Sequence, residues 1–132
     1  MKTEFTIQSD LFPPYENESD EVNPGIHGKR LVEYFDKKFK IHGIETEEFY
    51  PEDWGWELPI INQNFDIYLC CQNLDDNSYL CYLEPSKPEI RKWFFKKIDT
   101  RNDLNRISDI IQQIINDEQQ IKEIKDRTIR CT

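Results

Sequence analysis

The sequence predicts an α+β domain: an antiparallel sheet of about four to six strands, in the order β-α-β-β-β-β-α-α-β, with helices packed on one face. Three observations carry this expectation. Several short runs alternate apolar and polar residues, the period of a half-buried strand. Two longer stretches repeat their apolar residues at helical spacing. Short connectors rich in Pro, Asn and Asp join most of the strand candidates, which suits antiparallel neighbours. The 132 residues fit one domain spanning 1–132, enough to bury roughly two thirds of the unfolded surface without disulfides or metals.

Phe5 and Ile7 alternate with Glu4, Thr6 and Gln8, which predicts a first strand over 3–8. Ser9 to Gly25 holds Pro13, Pro14, Pro24 and Gly25 among acidic and polar residues, and reads as a long loop. From Ile26 to Lys40 the residues Leu31, Tyr34, Phe35 and Phe39 form an apolar helical stripe flanked by lysines. Gly43 is placed to take the left-handed conformation that ends this helix.

Strands are predicted over 44–50, 54–61, 65–72 and 78–83, joined by Pro51-Glu52-Asp53, Asn62-Gln63-Asn64 and Asn73 to Asn77. After Glu84-Pro85-Ser86-Lys87-Pro88, a short helix over 89–97 carries Ile90, Trp93 and Phe94 on one side. Leu104, Ile107, Ile110, Ile111, Ile114 and Ile115 give the clearest helical stripe, with Asn102 or Asp103 as its cap. Ile129 and Cys131 alternate in a closing strand over 125–131.

Charge is unevenly distributed. The chain carries 26 Asp and Glu against 17 Lys and Arg, a net charge of −9. The first 84 residues hold 18 of the acids and only 6 of the bases, and residues 41–84 hold ten acids with no Lys or Arg. Such a field repels itself, so it serves either solubility or an external counter-charge. A docking face for a basic partner would use it to speed association and select the partner. Direct nucleic-acid binding is disfavoured, because phosphates need clustered bases. The single basic cluster, Arg91, Lys92, Trp93, Lys96, Lys97 and Arg101, reads as a helix face that balances the acidic sheet.

Aromatics interleave with the acids in Phe49-Tyr50-Pro51-Glu52-Asp53-Trp54-Gly55-Trp56-Glu57, where the two tryptophans are expected on the same side of a strand. Phe12, Pro13, Pro14 and Tyr15, followed by Glu16, Glu18, Asp20 and Glu21, repeat that chemistry. The candidate partner-binding residues are Glu47, Glu52, Asp53, Glu57, Asp75 and Asp76, with Trp54 or Trp56 as anchor, since interface hot spots favour Trp within a polar rim.

Catalytic signatures are missing from the sequence. His27 and His42 both read as helix-end residues, and there is no Cys-x-x-Cys, no His-x-x-x-His, no phosphate-cradling Gly-rich loop and no EF-hand spacing. The pairs Glu52-Asp53 and Asp75-Asp76 read as turn residues, so neither a metal nor a cofactor is expected. Cys70, Cys71, Cys81 and Cys131 read as free thiols: the first two point to opposite strand faces and their flanks are apolar. Met1 to Ile7 lacks the apolar core of a secretory signal and no stretch approaches a membrane span, so a cytoplasmic location is expected.

Pro51-Glu52-Asp53-Trp54-Gly55-Trp56, Asn23-Pro24-Gly25-Ile26-His27-Gly28-Lys29 and Glu84-Pro85-Ser86-Lys87-Pro88 resemble a family of small uncharacterised bacterial proteins over most of the chain. The resemblance implies a bacterial origin and a shared fold, with no activity to transfer. As a small acidic α+β chain it is also similar in type to the immunity proteins of contact-dependent inhibition and related polymorphic toxin systems. That likeness implies a non-catalytic binder, monomer or homodimer, that neutralises a cognate, basic, nuclease-like toxin domain. Two other readings are an enzyme or ligand-binding protein with a pocket between sheet and helices lined by Tyr68, Tyr79, Tyr82, His27 and a cysteine, and a subunit that dimerises through the basic helix.

Overall fold

Strand alternation sorts most of the apolar residues onto one face of a single open sheet. The computed structural model describes residues 2–62, 66–85 and 100–125. Among them are β1 (Glu4–Gln8), α1 (Lys29–Ile41), β2 (Tyr50–Glu52), β3 (Gly55–Ile60), β4 (Ile67–Asn73), β5 (Ser78–Pro85), α2 (Thr100–Asp117) and β6 (Lys122–Glu123). The sheet runs β2-β3-β4-β5-β1-β6 and every pairing is antiparallel. The α+β class and the antiparallel sheet follow the expectation.

Register explains the core. Phe5 pairs with Cys81, Ile7 with Tyr79, Cys71 with Cys81 and with Trp56, and Leu69 with Leu83 and Leu58. All of these side chains are buried on one face. Leu31, Val32, Phe35 and Phe39 of α1 and Leu104, Ile107, Ile111, Ile114 and Ile115 of α2 join them in one cluster, so both helices pack on that face. The other face carries Thr6, Tyr50, Glu57, Tyr68, Cys70, Leu80 and Tyr82, by the same alternation.

Both ends of α1 have identifiable causes. At its C-terminus Gly43 has φ 77°, Gly43 N–H donates to Lys40 O and Ile44 N–H donates to Phe39 O. This is the Schellman arrangement, with the buried Ile44 and Phe39 as its apolar pair. The predicted Gly43 stop is therefore observed. At the N-terminus Gly28 has no side chain to cap with, and the carboxylate of Glu18 takes that role from the loop.

Several boundaries moved. Residues 44–49 do not form the predicted strand; only Thr46 makes a bridge, to Ile60. The strand is Tyr50–Glu52 instead, an edge position where Pro51 forfeits no ladder bond. Asp53 and Trp54 form the turn, slightly beyond the expected Pro51-Glu52-Asp53. Pro59 fits inside β3 because its carbonyl receives the Glu47 N–H, so the donor it lacks would have faced that flank and not β4. α2 begins at Thr100, which puts Asn102 and Asp103 inside its first turn and not at its cap. β6 lies at 122–123, ahead of the predicted closing strand. The helix over 89–97, the basic cluster apart from Arg101, which falls in α2, and all of the closing strand expected over 125–131 except Lys125 lie outside the described residues, as do Phe65 and Cys131.

Candidate functional site

Antiparallel topology brings the acidic connectors together at one end of the sheet. β3 leaves the Asp53-Trp54 turn, β4 returns toward it, and β5 leaves again from the turn at 74–77. β1 ends beside that second turn, where Ser9 N–H donates to Asn77 O and Gln8 donates to Asp76 O. The loop that follows β1 closes the group: Asn23 reaches Asp53 O, while Asn73 receives the His27 N–H and donates to Gly25 O. Asp10, Glu16, Asp20, Glu21, Asp53, Asp75 and Asp76 are all exposed on these connectors.

Few described cations compensate them. Lys29 pairs with Glu21 at 2.9 Å, and Arg30 donates to Pro13 O at 2.9 Å while stacking on the Tyr15 ring. Asp10 accepts from the Asn77 amide at 2.7 Å. The carboxylates of Asp53, Asp75 and Asp76 have no ion-pair partner among the described residues. Asp76 and Asn77 both sit at φ 58°, a conformation that these short polar side chains tolerate best after glycine.

Of the eight predicted partner-binding residues, the structure gathers Glu52, Asp53, Trp54, Asp75 and Asp76 at this end. Glu47 is exposed but hydrogen-bonds through its main chain to Pro59, about 13 Å along β3 from Gly55 at the strand rise. Glu57 is buried, accepting from the Tyr50 hydroxyl and from the Cys70 thiol, the latter at 3.4 Å. Burial first, then the Glu57 hydrogen bond, raises the Tyr50 pKa; burial and the Glu57 charge raise that of Cys70. Glu57, Cys70 and Glu84 lie close enough to share an ion, yet the contacts of Glu57 are already hydrogen bonds within the protein.

The tryptophans separate. Trp56 is 2% exposed in the core, whereas Trp54 is half-buried and packs on Tyr82 with ring centroids 6.0 Å apart. Tyr82 belongs to the opposite sheet face from Trp56. The expectation of one shared side fails because Trp54 lies in the turn, where strand alternation does not apply. Gly55 makes that turn possible: a Cβ there would stand 2.2 Å from Cys71 O.

A residue that sequence reasoning placed in an exposed patch is the buried organiser of this end. Glu18, 1% exposed, accepts from Gly28 N at 2.9 Å, Lys29 N at 3.1 Å, Trp56 Nε1 at 2.9 Å and, through its other oxygen, Tyr15 N at 3.0 Å. Its signal in the sequence was an acid near a glycine-led helix start. Which acid would serve was decided by the fold of the loop.

His27 and Tyr79 also meet. The Tyr79 hydroxyl donates to Phe12 O at 2.7 Å, so its oxygen receives the His27 Nε2–H at 3.0 Å. Burial lowers the His27 pKa against the pull of Glu18, and burial lifts Tyr79 to about 12. The pocket expected from Tyr68, Tyr79, Tyr82 and His27 is not formed, because Tyr79 faces the helices and Tyr68 and Tyr82 the other side.

Compared with protein-family models and with curated proteins, the chain matches none of them. Among the described residues, no helix is long and apolar enough to cross a membrane.

Proposed function

We propose that this chain is a non-catalytic binding protein that engages a basic protein domain through the acidic end of its sheet. The observation that carries the reading is the convergence there of exposed Asp10, Asp53, Asp75 and Asp76 from three separate connectors, beside the half-buried Trp54. Carboxylates with no ion-pair partner among the described residues offer a positive partner its counter-charge, and an aromatic ring at their edge supplies an apolar anchor. A cognate toxin domain of the nuclease type fits this chemistry, since its substrate-binding surface is built to receive phosphates. On this reading the protein is an immunity protein that covers such a surface.

The test is binding of the purified chain to the toxin domain encoded beside its gene, measured over rising salt. Tight binding that weakens steeply with salt, and weakens further in the triple variant Asp53→Lys, Asp75→Lys, Asp76→Lys, supports the proposal. Equal affinity of the two proteins at every salt concentration overturns it.

A further inference from the structure

We infer that Cys71 and Cys81 are a disulfide-forming pair, a redox modification site built into the β4–β5 hairpin. The two residues are direct register partners, and both side chains lie on the helix-facing side of the sheet. Hydrogen-bond parity says which kind of partners they are. Leu74 N–H donates to Ser78 O, so bonded positions between these strands fall at 74:78, 72:80 and 70:82, and 71:81 is a non-bonded position. The other flank agrees independently. Leu83 donates to Thr3 and Ser9 to Asn77, which directs the Cys81 main chain toward Phe5 of β1 and away from Cys71.

At non-bonded antiparallel positions the Cα atoms approach to about 4.5 Å and the side chains are closest. A disulfide spans Cα separations of about 4.4–6.8 Å, so the bridge fits without moving the strands. Cys70 cannot substitute, because it pairs with Tyr82 and points to the other face. The thiols are free and fully buried in this structure. Burial and the neighbouring Cys81 thiol also hold Cys71 protonated. The folded chain therefore resists oxidation. The bridge forms while the hairpin register exists and the helices do not yet cover it, which a hairpin closed by a short local turn allows.

The chemistry is thiol–disulfide exchange with a small disulfide as the oxidant. One cysteine thiolate attacks a sulfur of oxidised glutathione and expels one glutathione thiolate. The second cysteine thiolate attacks the mixed disulfide and expels the other. Two protons pass from the cysteines to the released thiols, and the chain loses two hydrogens.

The experiment refolds the full chain from urea with oxidised glutathione and, in parallel, exposes the folded chain to the same reagent. Peptide mapping then assigns any bridge, and thermal melting compares oxidised with reduced protein. A Cys71–Cys81 bridge after refolding, little reaction of the folded chain, and a melting temperature at or above that of the reduced form are expected. Bridges through Cys70 or Cys131, survival of all thiols, or a lowered melting temperature overturn the inference. A Cys70→Ser, Cys131→Ser variant keeps only the proposed pair and must give the same bridge. Adding Cys81→Ser to that variant leaves Cys71 as the lone thiol, which must then stop at the glutathione adduct, a readout on the refolding chain that does not require a stable fold.

Discussion

The Glu18 carboxylate accepts the indole N–H of Trp56 at 2.9 Å while the same oxygen accepts the Gly28 and Lys29 amides that open α1. One buried acid thereby ties the long loop, the first helix and the second sheet strand of the Trp-rich hairpin to a common point. Its negative charge is favoured where the helix dipole is positive. The exposed acids of the same end stand on that frame, so their arrangement depends on it.

Replacing Glu18 with Ala leaves the indole and three main-chain amides, those of Tyr15, Gly28 and Lys29, without their acceptor inside the protein. A loss of about 3 kcal/mol in urea unfolding is expected, with Glu18→Gln losing less because one acceptor oxygen remains. Equal losses for the two variants would show that the side chain's packing, and not its acceptor role, matters.

Gly55→Ala should destabilise by about 3 kcal/mol, because the new Cβ meets the Cys71 carbonyl and main chain must move. Gly25→Ala and Gly43→Ala meet nothing within 4 Å and carry only the penalty of positive φ, about 1 kcal/mol each. Thermal or urea unfolding of the three variants orders them.

The tryptophans should separate stability from binding. Trp56→Ala is expected to cost roughly 4 kcal/mol, by emptying core volume and stripping a donor from Glu18. Trp54→Ala should cost about 1 kcal/mol, the scale of its ring contact with Tyr82. If the proposed partner uses this end, only Trp54→Ala weakens binding while leaving the unfolding transition close to wild type.

His27 gives a pH signature. Its folded pKa lies below the ordinary histidine value of 6.5, chiefly through burial. The unfolded chain therefore binds this proton more readily than the folded one. The stability contribution is complete above pH 6.5 and is lost as pH falls from there through the folded pKa. Relative to His27→Gln, the wild-type chain should lose stability more steeply on acidification through that window, and NMR titration of the ring should place its midpoint below that of an unfolded peptide.

Much of the fold was legible because periodicity is a local property. Alternation at Phe5 and Ile7, the stripe from Leu104 to Ile115 and the glycine at 43 each act over a few residues, and each produced the element it predicted. The failures were of two kinds. Thr46 to Phe49 has strand-like residues but lacks a continuous partner, because β3 receives only short stretches of this segment. Trp54 was assigned by strand parity, and the turn broke that parity.

The sequence by itself determined the α+β class, the helix stop at Gly43 and the concentration of carboxylates between residues 41 and 84, since composition and short-range spacing suffice for these. Only the tertiary structure decided which acids act together. Strand direction carried Asp53, Asp75 and Asp76 to one end and left Glu47 near the other, while side-chain parity put Trp56 in the core and Glu57 on the opposite face, buried against Tyr50 and Cys70. Glu18 shows the same division most plainly: an acid among acids in the chain, it became the buried acceptor of four N–H groups once a loop, a helix start and a strand met around it.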